Sequence, residues 1–497
     1  MMKDFFKFLL ILSFSFSQSI SKDLNNNNNI NSEDKLLFVW QHFRHGARGP
    51  YVAVDPKTNL DFIGETWDGI GELTPLGMRM HYLLGISSKK SYSNFLSKTF
   101  NPNELYIVST NVNRTINSVY SFLQGFYDNM TSTNLTDTQI DRSNILNANY
   151  SEKINIKRKE LDKKMVQGGN TFIPVQIFDK TKLEFGLYDV KSCPGIDKYK
   201  KKNQQREEVI KIYDEIKQYT NDTFGEYVFK FMNITKDPGY LWNKTNLYYL
   251  SDTFVSDYFD GRKMDYINNT GINMDEFYNN SFNVTYIDTY HFEFGIPSTE
   301  TVYISVSPIV RNMLHYADLR IDLDKKGKSD EIISNSPRFV IISGHDTSLA
   351  PMDIFMESEF GIKFGMATYG SNQIFELWKN GTTGNYSIRY LYNQKVKGVY
   401  DFDTFKEKAL KKLYTPEQIK KLCQSTSSIF LQKIQIDGSL SKEMIYFSII
   451  FFCILSAILF IIFGLIKLVN HIKKEYNRKN LNNINTKLYS NIIIDYS

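Results

Sequence analysis

The stretch Phe43-Arg44-His45-Gly46-Ala47-Arg48-Gly49-Pro50, directly after the apolar run Leu36 to Trp40, decides how the chain is read. Arg44 and Arg48, with a histidine between them, can surround one phosphate group. Arginine offers a fork of N–H donors matched to phosphate oxygens, and neutral imidazole is a nitrogen nucleophile. Gly46 has no Cβ, so the backbone can turn sharply and let both guanidinium groups and the ring converge. Taken alone, the same letters also describe a basic turn at a strand end whose histidine is satisfied by a carbonyl. The surrounding chain decides between the two.

Lys35 to Phe43 is β-prone and apolar, which predicts a buried strand with the basic motif at its carboxyl end. Thr74 is a helix N-cap, Pro75 suits the first turn, and Leu76, Met80, Leu83 and Leu84 follow at helical spacing. Glu104 to Ser109 is a second short strand, followed by Thr110-Asn111-Val112-Asn113-Arg114-Thr115 and a helix through Ser118, Phe122 and Phe126. Val302 to Leu323 has helical periodicity. Arg338 to Ser343 is a third strand, ended by Gly344-His345-Asp346-Thr347. Gln373 to Lys379 and Tyr386 to Tyr392 are predicted antiparallel strands on either side of a Gly-rich turn, and there is no internal repeat.

Three strands thus each end in a short polar segment holding His or Arg. In open α/β sheets ligands bind outside the carboxyl ends of the strands, where strand order reverses, so three parallel strands would bring these distant segments into one pocket. The expected fold class is α/β, with a central, mainly parallel sheet flanked by helices. If the segments meet, Arg44, Arg48 and Arg114 neutralise a phosphate dianion and the charge that develops during in-line transfer. The same charge keeps His45 unprotonated and nucleophilic. His345 would bind a phosphate oxygen, and Asp346 would give a proton to the leaving alkoxide and then serve as base toward water. No metal and no cofactor is called for, because the arginines do the work that Mg²⁺ does elsewhere.

The chain has 497 residues, 42% of them hydrophobic and 15% aromatic, which is ample for more than one core. Its net charge of +5 is carried by the two ends, so the middle of the chain is formally neutral and gives no electrostatic case for nucleic acid as partner. Residues 1–21, with Lys3 and Lys7 beside Phe8-Leu9-Leu10-Ile11-Leu12, have the shape of a secretory signal peptide. An Asn-rich leader fills 22–34. Residues 35–130 and 300–424 form the expected phosphate-handling core. The Asn-, Lys- and Tyr-rich stretch 131–299 has lost the strand-and-helix rhythm and is expected to be an inserted, mainly helical cap. A polar stalk, 425–443, leads to the uncharged stretch 444–466.

As a helix that last stretch would reach about 35 Å, enough to cross a bilayer core. Lys467, Lys473, Lys474, Arg478 and Lys479 follow it, which places the tail 467–497 in the cytosol and makes the chain a single-pass type I membrane protein. Sequons at Asn129, Asn134, Asn221, Asn233, Asn243, Asn283, Asn380 and Asn385 all precede the span. Of the 3 cysteines, Cys193 and Cys423 lie in the expected ectodomain and could either pair or stand as free thiols; Cys453 lies within the span. The expected partners are a small phosphorylated substrate, the membrane and, as an open alternative to a monomer, a second copy in a homodimer.

Arg44-His45-Gly46-Ala47-Arg48 with Gly49-Pro50, Trp67, Gly71-Glu72-Leu73-Thr74, Leu76-Gly77-Met78, His81-Tyr82, Leu84-Gly85, Ser109 to Thr115 and Ser343 to Thr347 together resemble the histidine acid phosphatases. These form the branch of the histidine phosphatase superfamily that includes prostatic and lysosomal acid phosphatases and some phytases. The resemblance implies a histidine-phosphatase-type α/β core with a smaller α-helical cap. It also implies a phosphohistidine on His45, phosphate binding by Arg44, Arg48, Arg114 and His345, and proton donation by Asp346. Cys193-Pro194 is similar to the family's Cys-Pro segment, whose cysteine pairs near the end of the ectodomain, and so favours a bridge to Cys423. The order of signal, enzyme, span and short tail is most similar to the lysosomal members, and Tyr489-Ser490-Asn491-Ile492 fits a tyrosine-x-x-hydrophobic sorting pattern. That implies a lumenal (lysosomal or endosomal) or extracellular catalytic domain.

The chain departs from the pattern at Val108, where relatives often carry arginine, at Glu72 for a common glutamine, and in lacking the family's other disulfide cysteines. The expected activity is hydrolysis of phosphate monoesters. A phytase-like or lysophosphatidate phosphatase is the alternative within the enzyme class, and a catalytically silent membrane receptor is the alternative outside it.

Overall fold

In the computed structural model the elements run β1 (Lys35–Arg44), α1 (Pro75–Tyr92), β2 (Leu105–Thr110), α2 (Asn113–Phe126), α3 (Asp137–Arg142), β3 (Gln176–Phe178), α4 (Ile196–Gln204), α5 (Glu207–Thr220), α6 (Lys244–Phe259) and α7 (Met274–Tyr286). A π-helical stretch, Ile287–Phe294, continues α7, and then come α8 (Glu300–Lys325), β4 (Phe339–Gly344), α9 (Asp346–Phe360), β5 (Asn372–Lys379), β6 (Tyr386–Tyr392), β7 (Lys395–Asp401), α10 (Phe402–Lys412) and α11 (Pro416–Leu422). The structure describes residues 34–50, 71–98, 100–127, 135–142, 160–161, 163, 172–178, 193–220, 244–261, 274–295, 299–424, 467 and 473. The chain divides into two units, Met1–Cys423 and Gln424–Ser497. The expected signal peptide 1–21, the span 444–466, the stalk beyond Gln424 and most of the tail lie outside the described residues. No helix among the described residues is long and apolar enough to cross a membrane.

β1 is buried from Leu37 to its end because it lies inside a seven-stranded sheet, ordered β3-β2-β4-β1-β5-β6-β7, and is covered on both faces. Its pleat divides the core. Phe38 and Trp40, with Val108, Val340 and Ile342, pack beneath α8 and α9, whereas Val39 and Phe43, with Ile107, Phe339 and Ile341, pack against Val119 and Phe122 of α2. A continuous apolar strand with helices on both sides is what such a run of residues requires.

The sheet is mixed rather than mainly parallel. β3, β2, β4 and β1 pair in parallel, but β1–β5, β5–β6 and β6–β7 are antiparallel. Parallel neighbours need long crossovers, which the chain supplies between β1, β2 and β4. β5, β6 and β7 follow one another through hairpins, so they can only meander. Asn393 and Gln394 turn the second hairpin with φ of 47° and 63°, the left-handed pair a two-residue turn of this kind demands. β7 was not legible in advance because Lys395, Lys397 and Gly398 dilute its pattern at a half-exposed sheet edge. β3 falls in the stretch expected to be cap, yet it pairs with β2.

Helix α1 also differs from its reading. Thr74 caps it as expected, its hydroxyl accepting from the Gly77 N–H at 3.1 Å. The face turned inward, however, is Gly77, His81, Gly85, Ser88 and Tyr92, while Leu76 and Leu83 stand 37% and 53% exposed. Backbone, rather than side chains, makes the contact between α1 and α2: a Cβ on Gly85 would lie 2.0 Å from the Phe122 carbonyl oxygen, and one on Gly125 would lie 1.9 Å from that of Tyr82. Glycine is the only residue that permits such an approach. Cys193 and Cys423 are joined by a disulfide with S–S 2.05 Å, packed with Ile196, Ile304 and Ile419.

Candidate active site

The parallel register sets the three polar segments side by side. Arg44 at the end of β1 is opposite Gly344 at the end of β4, and Ser109 of β2 is opposite Ser343. Beyond the strand ends the chain is pinned by hydrogen bonds from His45 N–H to the Gly344 carbonyl (3.0 Å), from Gly370 N–H to the His45 carbonyl (3.1 Å) and from Gly46 N–H to Ser118 Oγ (3.1 Å). Gly46 itself lies against the first turn of α1, where a Cβ would meet the Gly77 carbonyl oxygen at 2.4 Å.

His45 is buried, and its Nδ1 lies 2.8 Å from the Gly46 carbonyl oxygen. Only an N–H satisfies that contact, so the proton sits on Nδ1 and the lone pair on Nε2. Burial holds its pKa well below the usual imidazole value, and Arg114, Arg44 and Arg48 push in the same direction. The ring of His345 stands edge-on at 5.5 Å. His345 accepts at Nδ1 from Arg114 (3.4 Å), so its Nε2–H donates to Thr110 Oγ1 (3.0 Å). Burial first, then Arg114, lowers its pKa to about 3, and it too is neutral in mild acid.

Two arginines carry carboxylates. Arg44 is 2.8 Å from Asp346, the first residue of α9, and also donates to the Ala367 carbonyl at 2.7 Å. Burial alone would raise the Asp346 pKa, but Arg44 and Arg48 outweigh it and hold the carboxyl below its usual range. Arg48 grips Asp252 of α6 with both terminal nitrogens, at 2.8 and 3.0 Å, both groups buried. Tyr369 lies beneath them: its ring is 4.5 Å from the Arg44 guanidinium carbon, 5.9 Å from that of Arg48 and 5.7 Å from the His45 ring. Its hydroxyl meets Ser256 of α6 at 3.2 Å.

All six residues expected at the pocket, Arg44, His45, Arg48, Arg114, His345 and Asp346, are therefore in one place. Asp252, Tyr369 and the Ala367 carbonyl were not expected there. Asp252 is one aspartate on a helix of mixed composition, and Tyr369 sits in a loop without periodicity, so neither carried a sequence signal. Among the described residues there is no cluster of three or more His, Cys, Asp or Glu side chains able to hold a metal ion.

The Ala367 carbonyl that takes Arg44 is itself anchored. Ala367 N–H donates to the Tyr290 hydroxyl (3.2 Å), which donates to Asp353 (2.7 Å), and Gln373 donates to the other Asp353 oxygen (2.6 Å). Tyr290 comes from the π-helical stretch, a rare geometry that recurs at functional sites. Burial, helped by Glu357 and opposed by Tyr290 and Gln373, pushes the Asp353 carboxyl up to about 8. A folded-state pKa raised above the unfolded value contributes stability in acid that is lost as pH rises through the folded value. The stability difference between the native chain and Asp353→Asn should therefore shrink by about 2 kcal/mol from pH 6 to pH 8. Urea unfolding of both proteins at the two pH values checks this, and a difference that does not vary with pH contradicts it.

The sequence profile of the histidine phosphatase superfamily (branch 2) matches residues 13–393. Prostatic acid phosphatase of Mus musculus is 40% identical over 96 residues, which is 19% of this chain and 24% of that protein. Lysosomal acid phosphatase of Xenopus laevis is 35% identical over 94 residues, 19% of this chain and 21% of that one. These matches span about a quarter of the length of the curated relatives. The phytase of Citrobacter braakii shares the fold, with a TM-score of 0.51 over 79% of this chain and 100% of that one at 13% identity. With a buried histidine ringed by arginines at the strand ends, and a profile that spans most of its length, the chain belongs to branch 2 of the histidine phosphatase superfamily.

Proposed function

We propose that the chain is an acid phosphatase that hydrolyses phosphate monoesters through a phosphohistidine on His45. One observation carries the reading: the Gly46 carbonyl fixes the His45 proton on Nδ1, leaving a neutral Nε2 inside a ring of arginines. The phosphate group takes Arg44 and Arg114, which neutralise its oxygens. Nε2 attacks phosphorus, the P–O bond to the leaving group breaks, and Asp346 donates its proton to the departing oxygen. Water, deprotonated by Asp346, then breaks the P–N bond and releases phosphate. His345 turns its Nε2–H from Thr110 to a transferring oxygen, which accepts it. Mild acid leaves His45 and His345 neutral, and Asp346 can carry the proton once phosphate oxygens take the Arg44 guanidinium that pairs with it in the empty site.

A monoester with an aromatic or uncharged leaving group suits the pocket better than a polyanion. The described side chains that approach it from α6 and α7 include Tyr248, Asp252, Ser256, Phe259 and Tyr278, and none of these five is cationic. Likeness to a phytase is likeness of fold. The stretch 444–466 is proposed to anchor the enzyme, with its pocket on the lumenal or extracellular side. The full-length chain, assayed with an aryl phosphate and with inositol hexakisphosphate from pH 4 to pH 8, should turn over the aryl ester, best below neutrality. Preference for the hexakisphosphate, itself a polyanionic monoester, would overturn the preference for an uncharged leaving group, and inactivity on both would favour a binding module on this fold.

A further inference from the structure

We propose that His42, buried in β1 two residues before Arg44, is a positioning residue for the proton donor: its imidazole N–H holds Ser348 in the first turn of α9, and Ser348 in turn holds the backbone from which Asp346 is aimed at the leaving group. The inference deepens the proposed reaction, on which it rests for the role of Asp346, and adds to it a group that touches no substrate.

The place calls for an apolar residue. Phe38 and Trp40 project from one face of β1 into the apolar layer beneath α8 and α9, and His42 follows them at the strand's period of two, 1% exposed. Burial lowers its pKa to about 3, so the ring is neutral in mild acid and offers one N–H and one lone pair. Its Nε2 lies 3.1 Å from Ser348 Oγ, whereas its Nδ1 has no hydrogen-bond partner among the described residues. A proton on Nδ1 would be a buried N–H without an acceptor, so the proton sits on Nε2 and is given to Ser348.

The roles of the Ser348 hydroxyl are then fixed. It donates to the His345 carbonyl (2.7 Å) and accepts from the His345 N–H (2.8 Å) and from His42. The same carbonyl takes the N–H groups of Ser348 (3.1 Å) and Leu349 (3.2 Å), so both polar backbone groups of His345 close on the start of α9. Asp346 is the next residue. The Thr347 N–H holds its Oδ1 at 2.8 Å, and Arg44 holds its Oδ2 at 2.8 Å. When phosphate oxygens take Arg44, the second of these anchors is lost, and the first turn of α9 alone directs the carboxyl. His42 is the side chain that ties this turn to β1 across the end of β4. Gly344, opposite Arg44 in the parallel register, leaves the passage open: a Cβ there would press on Ser348 Oγ and lie 2.8 Å from His42 Nε2.

Loss of aim is read through the leaving group. An alkoxide needs its proton as the P–O bond breaks, whereas 4-nitrophenolate departs without one. The ratio kcat/KM covers only the steps through transfer to His45 and so isolates that proton. In the full-length chain, His42→Val should lower kcat/KM for an alkyl phosphate about 10²-fold, and for 4-nitrophenyl phosphate by no more than about threefold. His42→Gln, whose amide N–H can stand where the Nε2–H stood, should recover most of the loss on the alkyl ester. Ser348→Ala breaks the same tie from its other end and should reproduce the pattern, also if His42→Val does not fold. The two substitutions together should be no worse than Ser348→Ala alone, since members of one unit do not add. Equal losses on the two esters in His42→Val or Ser348→Ala, or unchanged activity in both, overturns the proposal. Asp346→Asn checks the reading beneath it: equal losses on the two esters in that variant would mean that Asp346 is not the proton donor, and would sink the proposed reaction together with this inference.

Discussion

His45→Ala is expected to lower turnover of a phosphate monoester by about 10⁴-fold or more, the scale on which removal of a covalent nucleophile is felt. The size follows from the absence of a substitute. His345, the nearest ring, has Nδ1 turned to Arg114 and Nε2 to Thr110, so its lone pair cannot replace the missing one. His81 and His42, buried behind the motif, are engaged with the Arg44 carbonyl and Ser348. The variant should still bind phosphate, because the arginines and their carboxylates are untouched. Quenching a reaction with labelled substrate should trap acid-labile phosphate on the native protein and none on the variant. A variant that retains activity within tenfold would remove His45 from the chemistry and leave the arginine ring as a binding site. The depressed pKa also fixes the pH behaviour: a histidine at its ordinary value near 6.5 would be almost wholly protonated at pH 5, whereas this one remains a nucleophile there.

The second large effect is on the backbone. Gly77→Ala is expected to destabilise the fold by about 3 kcal/mol and to reduce kcat/KM by about 10²-fold. The new Cβ would lie 2.1 Å from the Ala47 carbonyl oxygen, 2.8 Å from the Ala47 nitrogen and 2.7 Å from Leu73 Cδ1. Two of these atoms are backbone of the motif itself and cannot give way without moving His45 and Arg48, so stability and catalysis fall together. Gly365→Ala is the control: a Cβ there meets nothing within 4 Å, and the substitution should be silent within about 0.5 kcal/mol. Urea unfolding and steady-state kinetics on both variants check the pair. Equal effects at the two positions would mean that the contact between α1 and the motif is not what shapes the pocket.

These two positions also mark what could be read in advance. His45 was legible because its neighbours in the chain are its partners: Arg44 and Arg48 flank it, and Gly46 supplies the carbonyl on Nδ1. Gly77 was present in the text as part of a helix, but its reason lies on another element. The leucines of α1 were the more visible signal and misled. Their spacing is helical, yet Leu76 and Leu83 face outward, because a helix that must lie against α2 backbone to backbone buries glycine and serine instead. The parallel half of the sheet showed itself in the apolar runs of β1, β2 and β4. The antiparallel half was legible in β5 and β6 and lost in β7, whose lysines suit an edge.

The sequence by itself determined the reactive group and its immediate setting, since a nucleophile, two cations and a turn can be specified by eight consecutive residues. It also determined that strands end where the polar segments begin, because a buried strand must be apolar and a binding loop cannot be. Only the tertiary structure decided the electrostatics of the site. Asp252 reaches Arg48 across 204 residues of chain, and the Ala367 carbonyl reaches Arg44 across 323. Charge acts through space, so the groups that tune His45 and Asp346 need only be near them in the folded molecule, wherever the chain happens to carry them.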